Sequence, residues 1–194
     1  MNGENTKEFY DNLYTNGAGL KGYRENNWAL LLSDDIFKIK FKSILDVGCG
    51  NGMFLQKCHS LGYEAHTFMQ VNICLNDESI KHMFTCMNVC ETVLPSGFDL
   101  AVSTDMIEHI PENKINFVIN NISKSAKQLY IVAAMYDDGE SHLTIKPVEW
   151  WSNEFSKVDL KIKLTGIIER KPKKPVAIFQ RLHEDLDQAV QSSR

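Results

Sequence analysis

Ser43-Ile44-Leu45-Asp46-Val47-Gly48-Cys49-Gly50-Asn51-Gly52 is the stretch that decides the fold. Its apolar first half predicts a buried parallel strand, and its second half has glycine at every other position. Glycine adopts backbone angles closed to other residues and lets a bound group approach the main chain, whereas a simple turn needs no such repetition. The residues from Asn51 onward predict a helix whose free N–H groups point back at the loop. The stretch therefore predicts a binding site for a nucleotide-like ligand.

Strand and helix patterns alternate along the rest of the chain. The predicted strands are residues 43–48, 64–70, 82–87, 98–103 and 128–135, and the predicted helices between them are residues 51–61, 76–81, 111–124 and 147–156. Two last runs, 158–168 and 175–182, alternate apolar and polar residues and predict an antiparallel hairpin. This order is typical of an α/β doubly wound sheet with helices on both faces.

Three regions are distinguished by their composition. Residues 1–42 predict a helical N-terminal cap, with helices at 4–14 and 25–37 around a glycine-rich loop. The aromatic residues of this cap form either a cover over the active site or a packed layer, and both interpretations stay open. Residues 43–183 form the predicted core, in one domain with the cap, and residues 184–194 are a polar tail.

Composition and charge limit the classes of function. The 194 residues are 43% hydrophobic and 24% charged, which is typical of one globular domain with a sizeable core. A formal charge of −4 gives no basic surface for double-stranded nucleic acid. No signal-peptide pattern begins the sequence, and the longest apolar run, residues 129–136, is too short to span a bilayer. We expect a cytoplasmic monomer or homodimer that does not bind membranes.

The cysteines give no sign of disulfides or of a zinc site. Their number, 5, is odd, no two form a CxxC pair, and most lie within apolar runs. These features predict reduced thiols in the core. We therefore assign no metal ligands from the sequence.

Two blocks of sequence resemble the class I S-adenosylmethionine-dependent methyltransferases. Residues 44–52 look like the first motif of that family, and residues 98–110, Phe-Asp-Leu-Ala-Val-Ser-Thr-Asp-Met-Ile-Glu-His-Ile, look like its fourth. The resemblance covers residues 43–183 and implies a seven-stranded, mostly parallel sheet of order 3-2-1-4-5-7-6 with the last strand antiparallel. It also implies S-adenosylmethionine as the cofactor and S-adenosylhomocysteine as the product formed from it.

The resemblance assigns the methionine end of the cofactor to the first motif. Asp46 is expected to hold the amino group, because a buried anion suits an ammonium, and further contacts are assigned to Gly48, Cys49 and Gly50. A dinucleotide-binding unit is the rival for this loop, but its third glycine would stand at Met53 and it requires no acid at position 46. Arg24, outside the motif, is a candidate partner for a cofactor or substrate carboxylate.

The second strand ends without the acid that the family uses to bind the ribose diol. Met69 stands at that position, and Gln70 and Asn72 are the candidate replacements. Losing a charge-assisted hydrogen bond costs about 1.5 to 3 kcal/mol, so the affinity for the cofactor is expected to be lower than usual. By resemblance, Asn88 accepts a bond from the adenine amino group and Val89 donates its backbone N–H to the ring. The alternative for Asn88 is a polar cap at the end of the strand.

Three residues are candidates for catalysis. His109 follows the fourth strand and is the first candidate for a general base, although a helix-capping or loop-fixing role is the interpretation we favour. Asp105 is expected to line the cofactor or substrate side, with Ser103 and Thr104 near the methionine end. His142 lies in the acidic loop 136–142, which is either a divalent cation site that orients a diol or, the interpretation we favour, a solvated turn.

The sequence favours a small acceptor over a large polymer. Aromatic residues, few added segments and the short cap suggest a sugar, a nucleotide or a hydroxylated ring methylated on O or N. Trp150 and Trp151 are adjacent on a helix, so we expect one to face the core and one to face outward. Two alternatives are kept: a catalytically silent cofactor-binding subunit that supports a partner protein, and a nicotinamide-dependent oxidoreductase.

Overall fold

The computed structural model describes residues 28–69, 78–139, 141–169 and 171–182. Several of the features predicted above lie outside the described residues: the helix at 4–14, the glycine-rich loop after it, Arg24, Gln70, Asn72 and the polar tail. The boundary drawn at residue 43 between cap and core stays a prediction. None of the helices in the described ranges is long and apolar enough to cross a membrane.

Seven strands form one sheet in the order β3-β2-β1-β4-β5-β7-β6. Their bounds are β1 Ser43–Val47, β2 Glu64–Met69, β3 Phe84–Cys86, β4 Phe98–Thr104, β5 Ala126–Ala134, β6 Lys163–Glu169 and β7 Pro175–Arg181. The first five strands pair in parallel, and β7 is antiparallel to both β5 and β6. The predicted fold class and strand order are confirmed.

Five α-helices flank the sheet within the described ranges. They are α1 Trp28–Leu31, α2 Ser33–Ile36, α3 Met53–Ser60, α4 Ile115–Ser125 and α5 Val148–Val158. The predicted helix at 25–37 is divided at Leu32, and the predicted helix at 76–81 is a 3₁₀ segment, Glu78–Met83. Segments this short gain few backbone hydrogen bonds for the residues they order, so packing decides their form. Pro111 is extended, and a 3₁₀ turn at Glu112–Lys114 therefore precedes α4.

The core lies on both faces of the sheet, as the alternation along β5 shows. Leu129, Ile131 and Ala133 point to the layer formed by α4 and α5, whereas Tyr130, Val132 and Ala134 point to the layer of α1, α2 and α3. All six side chains are at most 1% exposed, as expected for a strand covered on both sides. Trp151 is fully buried in the first layer and Trp150 is half-buried beside it, so the prediction that only one of the two faces inward is confirmed.

The prediction for the cysteines is partly wrong. Cys49 and Cys58 are buried, and burial raises the pKa of each thiol to about 12. Cys86 is exposed and Cys90 is half-buried. Cys86 lies at the end of the short edge strand β3, which is covered less completely than the central strands, and apolar neighbours in the sequence did not reveal this.

The parallel strands bring three loops together at one edge of the sheet. Strands β1, β4 and β5 are neighbours, and all three end at this edge. The loops that follow them carry residues 48–52, 105–111 and 135–147. In open α/β sheets ligands bind outside the carboxyl ends of the strands, so the fold places the predicted site residues where a site is expected.

Candidate functional site

The glycine loop after β1 requires left-handed backbone conformations. Gly48 has a φ of +87° and Gly52, at the start of α3, a φ of +76°. The Gly48 N–H donates to the Phe68 carbonyl at 3.2 Å, and the Gly52 carbonyl accepts the N–H of Gln56 at 2.9 Å. The loop therefore passes from a sheet hydrogen bond into the first turn of a helix within a few residues.

Gly48 also lies against the loop that follows β4. A Cβ atom at this position would lie 2.6 Å from Cγ and 3.0 Å from Cβ of Met106. These separations are far below van der Waals contact, so the first and fourth motifs touch at a point where only hydrogen fits. The close contact joins the loop assigned to the cofactor to the loop that carries Asp105 and His109.

Replacing Gly48 with alanine is expected to destabilise the protein by about 2 to 4 kcal/mol, because strained backbone and overpacking each cost about 1 to 3 kcal/mol. Gly62→Ala is the matched control, since Gly62 has a φ of +83° but nothing within 4 Å of the added Cβ. Urea unfolding of both variants separates the contact with Met106 from the backbone cost. Equal losses of stability in the two variants would show that the contact with Met106 adds nothing to the cost of the substitution.

Asp46 is a buried acid without a partner among the described residues. Its side chain is 1% exposed, and neither carboxylate oxygen accepts a hydrogen bond. Burial raises its pKa to about 7. An unpaired buried carboxylate is costly unless a cation or donor joins it. The residue therefore fits the ammonium group of the amino-acid end of S-adenosylmethionine, as the resemblance implies.

The end of β1 is fixed from both sides by hydroxyl groups. Thr67 Oγ1 donates to the Asp46 carbonyl at 2.6 Å, and Ser103 Oγ donates to the Val47 carbonyl at 3.1 Å. Ser103, predicted near the methionine end, is fully buried and bonded to the backbone of β1, and its neighbour Thr104 is 8% exposed. Ser103 thus holds the backbone that carries Asp46.

The region predicted for the ribose and adenine is only partly described. Met69 ends β2 and pairs with Cys86 of β3, and Gln70 lies outside the described residues. Asn88 Oδ1 accepts the N–H of Cys90 at 3.0 Å, which is the strand-capping geometry named as its alternative role. Val89 is 8% exposed. The assignment of Asn88 and Val89 to adenine stays a prediction.

Asn121 is a positioning residue that the sequence analysis missed. It lies on α4 and is 5% exposed. Its Nδ2 donates to the Thr92 carbonyl at 2.7 Å, and its Oδ1 accepts the N–H of Leu94 at 2.7 Å. The side chain therefore holds the segment after Val89 against the helix. Its helix contains three asparagines, so no local signal in the sequence distinguished Asn121 as the buried one.

The loop after β4 holds one fully buried acid, Glu108, and one partly buried acid, Asp105. Asp105 has a φ of +55°, which is unusual for a residue other than glycine, and its Oδ1 is buried without a partner. Glu108 is fully buried, and neither carboxylate oxygen has a hydrogen-bond partner. Burial and, after it, the charge of Asp105 raise the pKa of Glu108 well above its ordinary value. Glu108 was not among the predicted site residues, although it stands between Asp105 and His109 in the sequence.

The structure brings the two predicted histidines together. The rings of His109 and His142 lie 4.8 Å apart and nearly perpendicular. Burial, only partly offset by the charge of Asp105, lowers the pKa of His109, so its ring is neutral at pH 7. His142 Nε2 lies 4.0 Å from Glu108 Oε1. The three side chains form a cluster, Glu108–His109–His142, that the sequence analysis did not assemble.

The acidic loop after β5 is organised as a turn. Asp137 Oδ1 accepts the N–H of Gly139 at 2.7 Å, and Asp138 Oδ1 accepts the N–H groups of Ser141 and His142 at 2.8 and 3.0 Å. Glu140 lies outside the described residues. These bonds use the two described acids to shape the loop, which turns His142 toward Glu108.

Comparison with known proteins finds one family model. Residues 21–160 match the model of a methyltransferase domain. A curated relative, the ribosomal RNA small subunit methyltransferase C of Buchnera aphidicola subsp. Baizongia pistaciae, is 34% identical over 113 residues. That alignment covers 50% of this chain and 32% of the relative, so the chain spans about a third of the length of that protein.

Solved structures with the same fold include two methyltransferases. The 1,6-didemethyltoxoflavin-N1-methyltransferase of Burkholderia thailandensis, solved with 1,6-didemethyltoxoflavin and S-adenosylhomocysteine, is 13% identical with a TM-score of 0.69. The comparison covers 92% of this chain and 87% of that one. The N-methyltransferase NodS of Bradyrhizobium japonicum, solved with S-adenosylhomocysteine, is 12% identical with a TM-score of 0.68, covering 93% and 100% of the two chains.

Proposed function

Because the chain belongs to the class I S-adenosylmethionine-dependent methyltransferases, we propose that it methylates a hydroxyl or an amine of a small-molecule acceptor. The observation that carries the proposal is the unpartnered carboxylate of Asp46, which lies at the carboxyl end of β1 beside the left-handed Gly48. When bound, S-adenosylmethionine supplies a methyl group on a positively charged sulfur, which is already a good electrophile. The chain therefore has to bind and orient the cofactor and the acceptor, and to exclude water.

The cofactor side of the proposed site is formed by the loop after β1. Asp46 offers a buried anion to an ammonium group, and the glycines let a ligand approach the backbone N–H groups at the start of α3. Cys49 and Gly50 complete this loop, and Ser103 holds its base through the Val47 carbonyl. These residues support a role in orienting the amino-acid end of the cofactor.

The acceptor side of the proposed site is the edge between the loops after β4 and β5. A neutral His109 is able to take a proton from a hydroxyl, and His142 lies beside it, whereas an amine only has to arrive unprotonated. Asp105 has a buried oxygen at the same edge. A small acceptor is supported by the small-molecule ligand in the Burkholderia structure and by the formal charge of −4. The alignment covers only 32% of the ribosomal RNA methyltransferase, so we do not assign the substrate of that protein to this chain.

Thermal-shift measurements with S-adenosylmethionine, S-adenosylhomocysteine and NAD test the proposal. A ligand at 100 times its dissociation constant stabilises the folded state by about 2.7 kcal/mol, so both adenosyl compounds should raise the melting temperature and NAD should not. A panel of hydroxylated and amine acceptors then tests methyl transfer. A shift without transfer to any acceptor would favour a silent subunit, and a shift with NAD alone would favour the oxidoreductase.

Replacing Met69 with aspartate is expected to tighten S-adenosylmethionine binding about 10-fold to 150-fold. The change restores a charge-assisted hydrogen bond to a ribose diol, which contributes about 1.5 to 3 kcal/mol. Met69→Asn is the matched control, since it has the shape of aspartate without the charge. Calorimetric titration gives both affinities. Unchanged binding in Met69→Asp would place the ribose away from the end of β2.

A further inference from the structure

Three side chains able to ligate a metal ion meet where two loops cross. Glu108 and His109 lie on the 3₁₀ turn Ile107–His109 after β4, and His142 lies in the loop between β5 and α5. Their donor atoms all lie within 4.8 Å of one another. Bonds of about 2.0 to 2.2 Å place two ligands of a tetrahedral ion roughly 3.3 to 3.6 Å apart, so side-chain shifts of about 1 Å would close the set.

Backbone hydrogen bonds fix the two loops against each other. The Glu108 carbonyl accepts the N–H groups of Leu143 and Thr144, each at 2.9 Å. Thr144 Oγ1 donates to the Ile110 carbonyl at 2.7 Å. These bonds use main-chain atoms on both sides of the cluster, so they fix the backbone that carries its side chains.

Both histidines are oriented as metal ligands usually are. His109 Nδ1 donates to the Ser141 carbonyl at 3.1 Å, and His142 Nδ1 donates to the Tyr136 carbonyl at 2.6 Å. A carbonyl only accepts, so Nδ1 carries the proton in each neutral ring and Nε2 carries the lone pair. A backbone carbonyl behind the ring is the common way to fix the tautomer of a coordinating histidine.

Glu108 supplies the observation that points to a cation. Its side chain is fully buried and neither oxygen has a hydrogen-bond partner, and Asp105 Oδ1 beside it is buried without one as well. None of the lysines and arginines in the described ranges forms an ion pair with Glu108. A fully buried carboxylate beside a partly buried one is costly to ionise when no lysine or arginine is paired with it, and a bound cation would offset that cost.

We infer that Glu108, His109 and His142 bind one divalent transition-metal ion, such as Zn²⁺, Co²⁺ or Mn²⁺. Two imidazole nitrogens and one carboxylate oxygen suit such ions better than Mg²⁺ or Ca²⁺, which prefer oxygen ligands throughout. Three protein ligands leave coordination positions open for a ligand.

The open positions narrow the acceptor to molecules with a hydroxyl group. A metal-bound hydroxyl has a much lower pKa than a free one, which prepares its oxygen as a nucleophile, whereas an amine would gain nothing by sharing its lone pair with the ion. This role rests on the proposed methyl transfer. Binding of the metal does not, and it is measurable without cofactor or acceptor.

The test is a titration of the tag-free, metal-stripped chain with Co²⁺, followed by visible absorption and calorimetry. We expect one equivalent to bind with the absorption bands of a nitrogen- and oxygen-ligated ion. Glu108→Gln and His142→Ala should each weaken binding at least 10-fold, since altering even outer partners of a site costs about that much. The control is His59→Ala combined with His82→Ala, a second histidine pair with rings 6.0 Å apart.

Two outcomes would overturn the inference: no stoichiometric binding, or binding that the His59 and His82 substitutions remove and the cluster substitutions do not. If His142→Ala fails to fold, Glu108→Gln still decides, because glutamine has the shape of glutamate and replaces oxygens that bond to no described group. The thermal shift with S-adenosylmethionine is measured on the same metal-free sample. Cobalt binding without that thermal shift would contradict the proposed function but would still support the metal site.

Discussion

Asp46→Asn should lower the affinity for S-adenosylmethionine about 10-fold to 150-fold while leaving the metal-free, ligand-free protein as stable as the wild type or more so. The loss follows from removing a charge-assisted bond to an ammonium group, worth about 1.5 to 3 kcal/mol. The gain in stability follows because the buried carboxylate has no partner among the described residues and is costly to ionise. Calorimetry gives the affinity, and urea unfolding gives the free energy of unfolding.

The same residue gives a pH dependence with a defined sign. The pKa of Asp46 is raised from 3.8 to about 7 in the folded protein, so between these values the folded state binds more protons than the unfolded state. The contribution of Asp46 to stability is therefore present at pH 4 and is lost as the pH rises to 7. Affinity for a cationic ligand should change the opposite way, since it needs the ionised carboxylate. Neither dependence should remain in Asp46→Asn.

Asp99→Asn is the matched control for Asp46→Asn. Asp99 lies near the start of β4, at the opposite edge of the sheet from the site. Its carboxylate accepts bonds from Lys127 Nζ at 2.9 Å and from the Lys42 N–H at 3.0 Å, which lower its pKa to about 2. This variant should lose stability at neutral pH and keep its affinity for the cofactor. If both variants weakened the cofactor equally, Asp46 would have no direct role in binding.

The sheet was predictable because its strands are marked by local sequence patterns and by blocks that resemble motifs of a known family. Apolar runs of strand length marked β1, β4 and β5, and the glycines after Val47 marked the loop whose left-handed angles the structure contains. The strand order followed from the family resemblance, since parallel strands need crossovers that a single sequence does not orient. The first four-residue helices were not predicted correctly, because packing decides such short segments.

The cluster at Glu108 was not predictable from spacing alone. His109 and His142 were each identified by their position after a strand, but 32 residues separate His109 from Ser141, the residue whose carbonyl orients it. Only the parallel pairing of β4 and β5 brings the two loops to the same edge. Glu108 was not among the predicted site residues, and its carbonyl accepts the N–H groups of residues 143 and 144, which are contacts that no local pattern in the sequence indicates.

Arg181 fixes the opposite end of the sheet from the site through an extensive hydrogen-bond network. The side chain is 13% exposed and joins the end of β7 to Asp159, with Nη1 2.6 Å from Asp159 Oδ2. Nη1 also donates to Ser123 Oγ at 2.7 Å, and Nη2 donates to the Ser123 carbonyl at 2.8 Å. Further bonds reach the carbonyls of Ala126 and Lys127. The guanidinium thus donates hydrogen bonds to oxygen atoms at the α4–β5 junction and to the carboxylate that follows α5.

Arg181→Ala is therefore expected to destabilise the protein by about 3 to 5 kcal/mol, because it leaves a partly buried carboxylate and several carbonyls without their donor. Arg181→Lys keeps the charge but lacks the planar fork, so it should lose an intermediate amount. Lys38→Ala removes an exposed ion pair, Lys38 with Asp35 at 2.7 Å, and should leave the free energy of unfolding unchanged. Urea unfolding at one pH compares all three. If Arg181→Ala loses no more stability than Lys38→Ala, solvent replaces the hydrogen bonds of the network. The cofactor affinity of Arg181→Ala is measured below its melting temperature. An unchanged affinity would show that the network supports the fold and not the site.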